Sequence, residues 1–125
     1  MTTWTTDELN SIGDAEELEI TSPRSDGTPR PYVTIWVVRV GDDLYVRSAH
    51  GANNPWYRRA RASGTGRIRA GGLERDVTFA DAEPDAMPGI DKAYHAKYDR
   101  YGPAIVGPVV GAAAAPVTIR LLPHG

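Results

Sequence analysis

Residues 32–40 (YVTIWVVRV) constrain the fold more than any other part of the chain. β-branched and aromatic side chains fill the run, and such side chains suit a pleated, packed surface. Apolar residues fall on both faces, which predicts a strand central in its sheet. Gly41-Asp42-Asp43 then makes a tight connection to a second strand over 44–48, so the two form a hairpin.

The remaining elements follow from local signals. Thr5 and Glu8 have capping-box spacing, with Trp4 and Leu9 at the hydrophobic-staple positions, so a short helix starts there and stops at Gly13. Residues 17–21 alternate and read as a half-buried strand. The loop to Pro31 is polar and turn-rich. Pro55 opens a short helix over 56–62, which Gly64 and Gly66 end. Strands over 67–70 and 73–81 flank Gly71-Gly72, a second hairpin. From 85 to 101 the period becomes helical, with Ile90, Tyr94, Tyr98 and Tyr101 on one face. Tyrosines on such a stripe serve packing in a core or between subunits, with contact to a cofactor as the alternative. Residues 104–115 predict an irregular helix, and 117–121 a last strand. The class is α+β, mainly β. Six strands arranged as hairpins predict an antiparallel sheet that curls to remove its edges.

The chain has 125 residues and no Cys, which fits one domain over 1–125 and excludes thiol chemistry and disulfides. With three His, no metal site is expected. A cysteine-free chain suits a cytoplasmic setting. Residues 1–20 lack a basic leader, so no signal peptide is expected. The apolar stretch over 104–117 is broken by Gly and Pro, so no membrane span is expected. The formal net charge of −2 argues against nucleic acid as a partner. That average hides a division, because residues 44–73 carry six arginines (47, 58, 59, 61, 67, 69) and no acid.

Within that block, a strand delivers Arg47 and Ser48 into a small-residue loop that becomes a helix N-terminus. Free amides, the helix dipole, a hydroxyl and guanidinium groups would meet there, which is the chemistry of a phosphate site. Gly51 lets the backbone approach an anion closely. The bland alternative is a capping loop with solvated arginines. His50 could donate to a phosphate or remain solvated. His95 reads as a surface residue, and His124 is terminal. Arg67 and Arg69 share one face of their strand, which could be a solvated face, an anion-binding rim or a dimer contact, the solvated face being the simplest reading.

The text Asp26-Gly27-Thr28-Pro29-Arg30, Ile35-Trp36-Val37-Val38, Tyr45-Val46-Arg47-Ser48, Gly51, Pro55-Trp56 and Arg59 resembles the flavin-binding split-barrel superfamily. That superfamily is pyridoxamine-phosphate-oxidase-like, and the likeness is greatest to its deazaflavin-dependent nitroreductase branch. The runs WVVRVGDDLYVRS, GxGRIRAGG and IDxAYxxKY also resemble a smaller, uncharacterised family, which implies a fold only. The resemblance implies a six-stranded antiparallel split β-barrel with flanking short helices, assembled as a homodimer with its cofactor at the interface. It implies FMN or deazaflavin as cofactor. Arg47, Ser48, His50, Gly51 and Asn54 would hold phosphate or ribityl oxygens, and Trp56 would anchor the helix. Arg58 or Arg59 would supply charge, and Trp36, with Thr34, Ile35 and Val37, would lie beside the ring. Hydride transfer to a small-molecule substrate is the implied reaction, with the catalytic residues unassigned. A non-catalytic ligand-binding barrel and a degenerate barrel with a structural role remain as alternatives.

Overall fold

The computed structural model describes residues 3–28, 30–49 and 51–124. Helix α1 (Thr6–Gly13) begins with the expected capping box: Thr5 Oγ1 accepts from the Glu8 amide at 3.1 Å, and Glu8 Oε1 accepts from the Thr5 amide at 2.9 Å. Trp4 and Leu9 are both buried in one core, where the Trp4 indole donates to Leu121 O at 2.9 Å. The strands are β1 (Leu18–Thr21), β2 (Val33–Ile35), β3 (Val38–Val40), β4 (Asp43–Arg47), β5 (Thr65–Ala70), β6 (Leu73–Asp81) and β7 (Thr118–Pro123). All pair antiparallel in one sheet of order β2-β1-β5-β6-β7-β4-β3.

Two expectations need correcting. The strand count is seven rather than six, and residues 32–40 are not one central strand. The run divides at Trp36-Val37, and its halves form the two opposite edges of the sheet. Ile35 and Val38 are three residue steps apart, a reach of about 10 Å for extended chain. The first and last strands are therefore brought together, and the sheet rolls into a barrel whose seam is Trp36-Val37. Apolar residues face both ways here because the run touches two cores at a corner, not because it is flanked by two strands.

One core fills the barrel, with Leu18, Ile20, Leu44, Val46, Ile68, Val77, Ile119 and Leu121. The other lies outside it, between β3–β4 and the helices, and contains Val38, Tyr45, Ile90, Tyr94, Tyr98, Val106 and Val109. Strand β4 serves both: Leu44 and Val46 point inward and Tyr45 outward, as strand alternation requires.

The helical segment expected over 85–101 is three pieces: a 3₁₀ turn Pro84–Ala86, helix α3 (Met87–Tyr98) and a 3₁₀ turn Asp99–Tyr101. Of its tyrosines, Tyr94 and Tyr98 are buried as the stripe predicts, and Tyr101 is exposed. The segment after Gly102 holds a one-turn helix α4 (Pro103–Val106) and 3₁₀ turns Gly107–Val109 and Ala115–Val117, since Gly and Pro permit nothing longer. Helix α2 (Pro55–Ser63) ends at Gly64 with φ +71°, whereas Gly66 lies inside β5.

Candidate functional site

Strand β4 ends at Arg47, whose side chain lies on the outer face of the barrel with Tyr45, is covered by α3, and is 2% exposed. Its Nη1 donates to Asp91 Oδ1 of α3 and, at 2.8 Å, to Val109 O. Its Nε donates to Thr118 Oγ1 of β7 at 2.9 Å, and its Nη2 lies 3.4 Å from Met87 Sδ. Asp91 Oδ1 also accepts from the Gly111 amide at 3.3 Å. The guanidinium thus joins β4, β7, α3 and the segment around 109–111. Tyr94 lies beneath it, its ring centre 5.6 Å from Arg47 Cζ, and burial pushes the Tyr94 phenol well above its ordinary range.

The loop that follows is a compact turn. Ser48 is buried, and its hydroxyl donates to Gly51 O at 2.6 Å. The Gly51 amide donates back to Ser48 O at 3.4 Å, with Gly51 at φ +78°. His50 lies outside the described residues. Asn54 is the N-cap of α2 but makes no capping bond with its side chain, and Pro55 occupies the first helical position. A helix start leaves amides without intrahelical partners, and a positive dipole end beside them. Trp56 is buried edge-on to Tyr57, whose hydroxyl donates to Pro116 O at 3.1 Å. Arg58 and Arg59 are exposed and have no side-chain partner among the described residues.

A cleft of about 330 Å³ lies between the seam, this loop and α4. Four of the eight residues expected at the site line it: Trp36, Arg47, Asn54 and Trp56. Val33, Thr34 and Ile35 join them from β2, and Glu17, Ala49, Ile105 and Val109 also line it. Ser48, Gly51 and Arg59 do not line it. Arg59 flanks a small adjoining hollow with Arg30, and Trp56 and Val33 are shared between the two. Trp36 lies flat on Tyr98, ring centres 3.9 Å apart and planes within 5°, with Tyr101 5.4 Å away.

The acid-free arginine block is largely neutralised from elsewhere in the chain. Arg61 pairs with Asp81, Arg67 with Glu74 and Asp76, and Arg69 with Glu19. Arg69 also covers the Tyr32 ring at 3.7 Å. These pairs lie on the solvated surface, so the face of Arg67 and Arg69 is solvated and ion-paired. Sequence reasoning missed Glu17 and Ile105, which line the cleft, and Asp91, which holds Arg47 there. The helical reading set Asp91 mostly away from the packed tyrosine face, whereas it turns to the buried Arg47. No group of three or more His, Cys, Asp or Glu among the described residues is placed to hold a metal ion.

Comparison with solved structures gives the same architecture. HutZ, the heme storage protein from Vibrio cholerae, superposes with a TM-score of 0.62 at 13% identity, over 95% of this chain and 89% of that one. A FAD-binding protein from Mesorhizobium loti gives 0.57 at 19% identity, over 98% and 92%. An F420 reductase gives 0.55 at 17% identity, over 94% and 93%. No curated protein sequence matches the chain. These likenesses establish the split-barrel fold. A family of proteins conserved in bacteria, described as uncharacterized (DUF2255), matches residues 8–121. The chain is therefore a member of the DUF2255 family, built on the split β-barrel fold.

Proposed function

We propose that the cleft holds the ring system of a flavin-type cofactor, FMN or a deazaflavin, and that the protein is an oxidoreductase that passes hydride to a small molecule. The observation that carries this reading is the arrangement around α2. An apolar, tryptophan-walled cleft meets a helix start that no side chain among the described residues caps, and Arg58 and Arg59, without partners among the described residues, stand on that helix. A flat, mostly apolar ring with an anionic tail matches those two ends. Arg59 supplies the charge for the tail, because Arg47 is committed to Asp91. The cofactor brings the redox chemistry, and the chain positions it and shields it from water. The solved relatives with FAD-binding and F420 reductase in their names support the same class of ligand.

Binding without turnover is the second reading. It is favoured by the cleft's own chemistry: among the described residues its titratable lining groups are Glu17 and Arg47, and Arg47 is occupied. Titration of the purified protein with FMN and with a deazaflavin, followed by absorbance and fluorescence, tests both. Saturable binding of one of them is expected, weakened about tenfold by Arg59→Ala, the equivalent of one charge-assisted hydrogen bond. No saturable binding of either overturns the proposal. Reoxidation of bound, photoreduced FMN by nitroaromatic or quinone acceptors then separates the readings. A rate above that of free FMN supports the oxidoreductase, and an equal or lower rate supports binding alone.

The proposed assembly is a homodimer that closes the cleft. Ile105 in the cleft wall is 54% exposed and Tyr101 beside it 43%, and residues 101–119 carry no charge. Exposed apolar surface of that kind marks a contact. Sedimentation at micromolar concentration should give twice the chain mass, and a clean monomer rejects the dimer. Among the described residues no helix is long and apolar enough to cross a membrane. A cytoplasmic location is proposed on the cysteine-free composition.

A further inference from the structure

Trp36 and Val37 are all that separates β2 from β3, the two edges of the sheet. The backbone there lies outside the strand ladder, yet Val37 is 0% exposed. Buried amides and carbonyls must find partners. Helix α3 provides them through two adjacent side chains. The Val37 amide donates to Tyr98 Oη at 3.3 Å. Val37 O accepts from Lys97 Nζ at 2.7 Å and lies 3.0 Å from Tyr98 Oη. Both side chains also reach the segment that leaves α1: Lys97 Nζ donates to Gly13 O at 2.8 Å, and Tyr98 Oη lies 2.8 Å from Glu16 O. A phenol has one proton, so Tyr98 donates to one of the two carbonyls at a time while accepting from the Val37 amide.

The residue before Val37 is Trp36, the aromatic wall of the cleft. Its indole lies parallel to the Tyr98 ring at 3.9 Å. Tyr98 therefore fixes Trp36 twice, by its ring under the indole and by its hydroxyl on the next peptide.

We propose that Tyr98 and Lys97 are positioning residues that clamp the Trp36-Val37 seam and thereby set the Trp36 indole in the wall of the cleft. The clamp stands on the hydrogen bonds alone, and its consequence for a ligand rests on the cofactor reading above. A lysine here costs the fold something, because burial pushes its amine down to about 8. Packing alone would favour an apolar side chain at that place.

The test starts on the ligand-free protein, labelled with ¹⁵N. Tyr98→Phe keeps a ring under Trp36 and deletes the hydroxyl, and Lys97→Met keeps chain length and deletes the amine. Each variant should exchange the Val37 amide at least tenfold faster and shift or broaden the Trp36 indole resonance. The Val77 amide and the Trp56 indole, away from the clamp, should stay as in the parent protein. If Tyr98→Phe does not fold, Lys97→Met decides alone. An unchanged Val37 amide and Trp36 indole overturn the clamp. FMN titration of the same samples should then show affinity reduced about tenfold. Altered resonances with unaltered FMN affinity overturn the positioning role. If the parent protein binds neither FMN nor a deazaflavin, the cofactor reading fails, while the ligand-free spectra still decide whether Tyr98 and Lys97 set Trp36.

Discussion

Arg47 carries its charge into the protein, and its value is structural before it is anything else. Replacing it by Met removes the bonds to Asp91, Val109 O and Thr118 together. Losing one partner of a buried pair costs about 3–5 kcal/mol, because the other is left uncompensated. Asp91 is 33% exposed and keeps the Gly111 amide, so part of that cost is relieved by water. Urea denaturation of Arg47→Met should show a loss of about 2–3 kcal/mol, and a loss within the error of the parent protein would contradict the packing described. Arg59→Ala, exposed and unpaired, should stay within about 0.5 kcal/mol. The contrast explains what the sequence could and could not tell at this scale. Arg47, Asn54, Trp36 and Trp56 are legible as residues that gather at one place. What each does there was not, because the acids that occupy the arginines all lie outside the acid-free window: Asp91 of α3 on Arg47, Glu19 of β1 on Arg69, and acids of β6 on Arg61 and Arg67. An acid-free window of residues is no guide to a field created by neighbouring strands.

At the scale of elements, the close approach of β1 to β5 depends on a glycine. A Cβ added at Gly66 would lie 2.3 Å from Thr21 O and 2.8 Å from the Phe79 ring. The Thr21 oxygen belongs to a strand paired on both sides and cannot withdraw. Overpacking of this kind costs about 1–3 kcal/mol, so Gly66→Ala should lower the denaturation midpoint accordingly. Gly107→Ala, where nothing lies within 4 Å and φ is −47°, should be neutral or slightly stabilising. A Gly66→Ala protein as stable as Gly107→Ala would refute the contact. Hairpins and helix starts were readable because their signals are local: the Thr5 box, Pro55, and the Gly71-Gly72 turn at positive φ. The break inside residues 32–40 was not. Nothing in that run disfavours extended backbone, and the chain changes partner there only because Tyr98 and Lys97, some sixty positions later, take the bonds a neighbouring strand would have made.

The whole molecule feels Lys97 through its proton. The amine titrates near 8 in the fold against an ordinary 10.5, with burial as the main cause and Arg100 adding to it. Glu16 and Asp14 act in the opposite sense and do not overcome burial. Between the two values the unfolded chain holds more protons than the folded one, so this group's contribution to stability rises with pH across that window and is flat below it. The neutral amine still has protons for both Gly13 O and Val37 O, so the gain is not offset by lost hydrogen bonds. Above about 10 the sign reverses, because burial holds the Tyr94 and Tyr98 phenols protonated after unfolded tyrosines have ionised. The measurement therefore belongs between pH 7.5 and 9.5. Over that interval the stability of the parent protein relative to Lys97→Met should rise by about 1 kcal/mol, a figure reduced from the full linkage value because the side chain is only partly buried. A difference that stays constant, or falls, would mean that the amine is hydrated rather than held in the seam. The clamp on Val37 would then have to rest on Tyr98 alone.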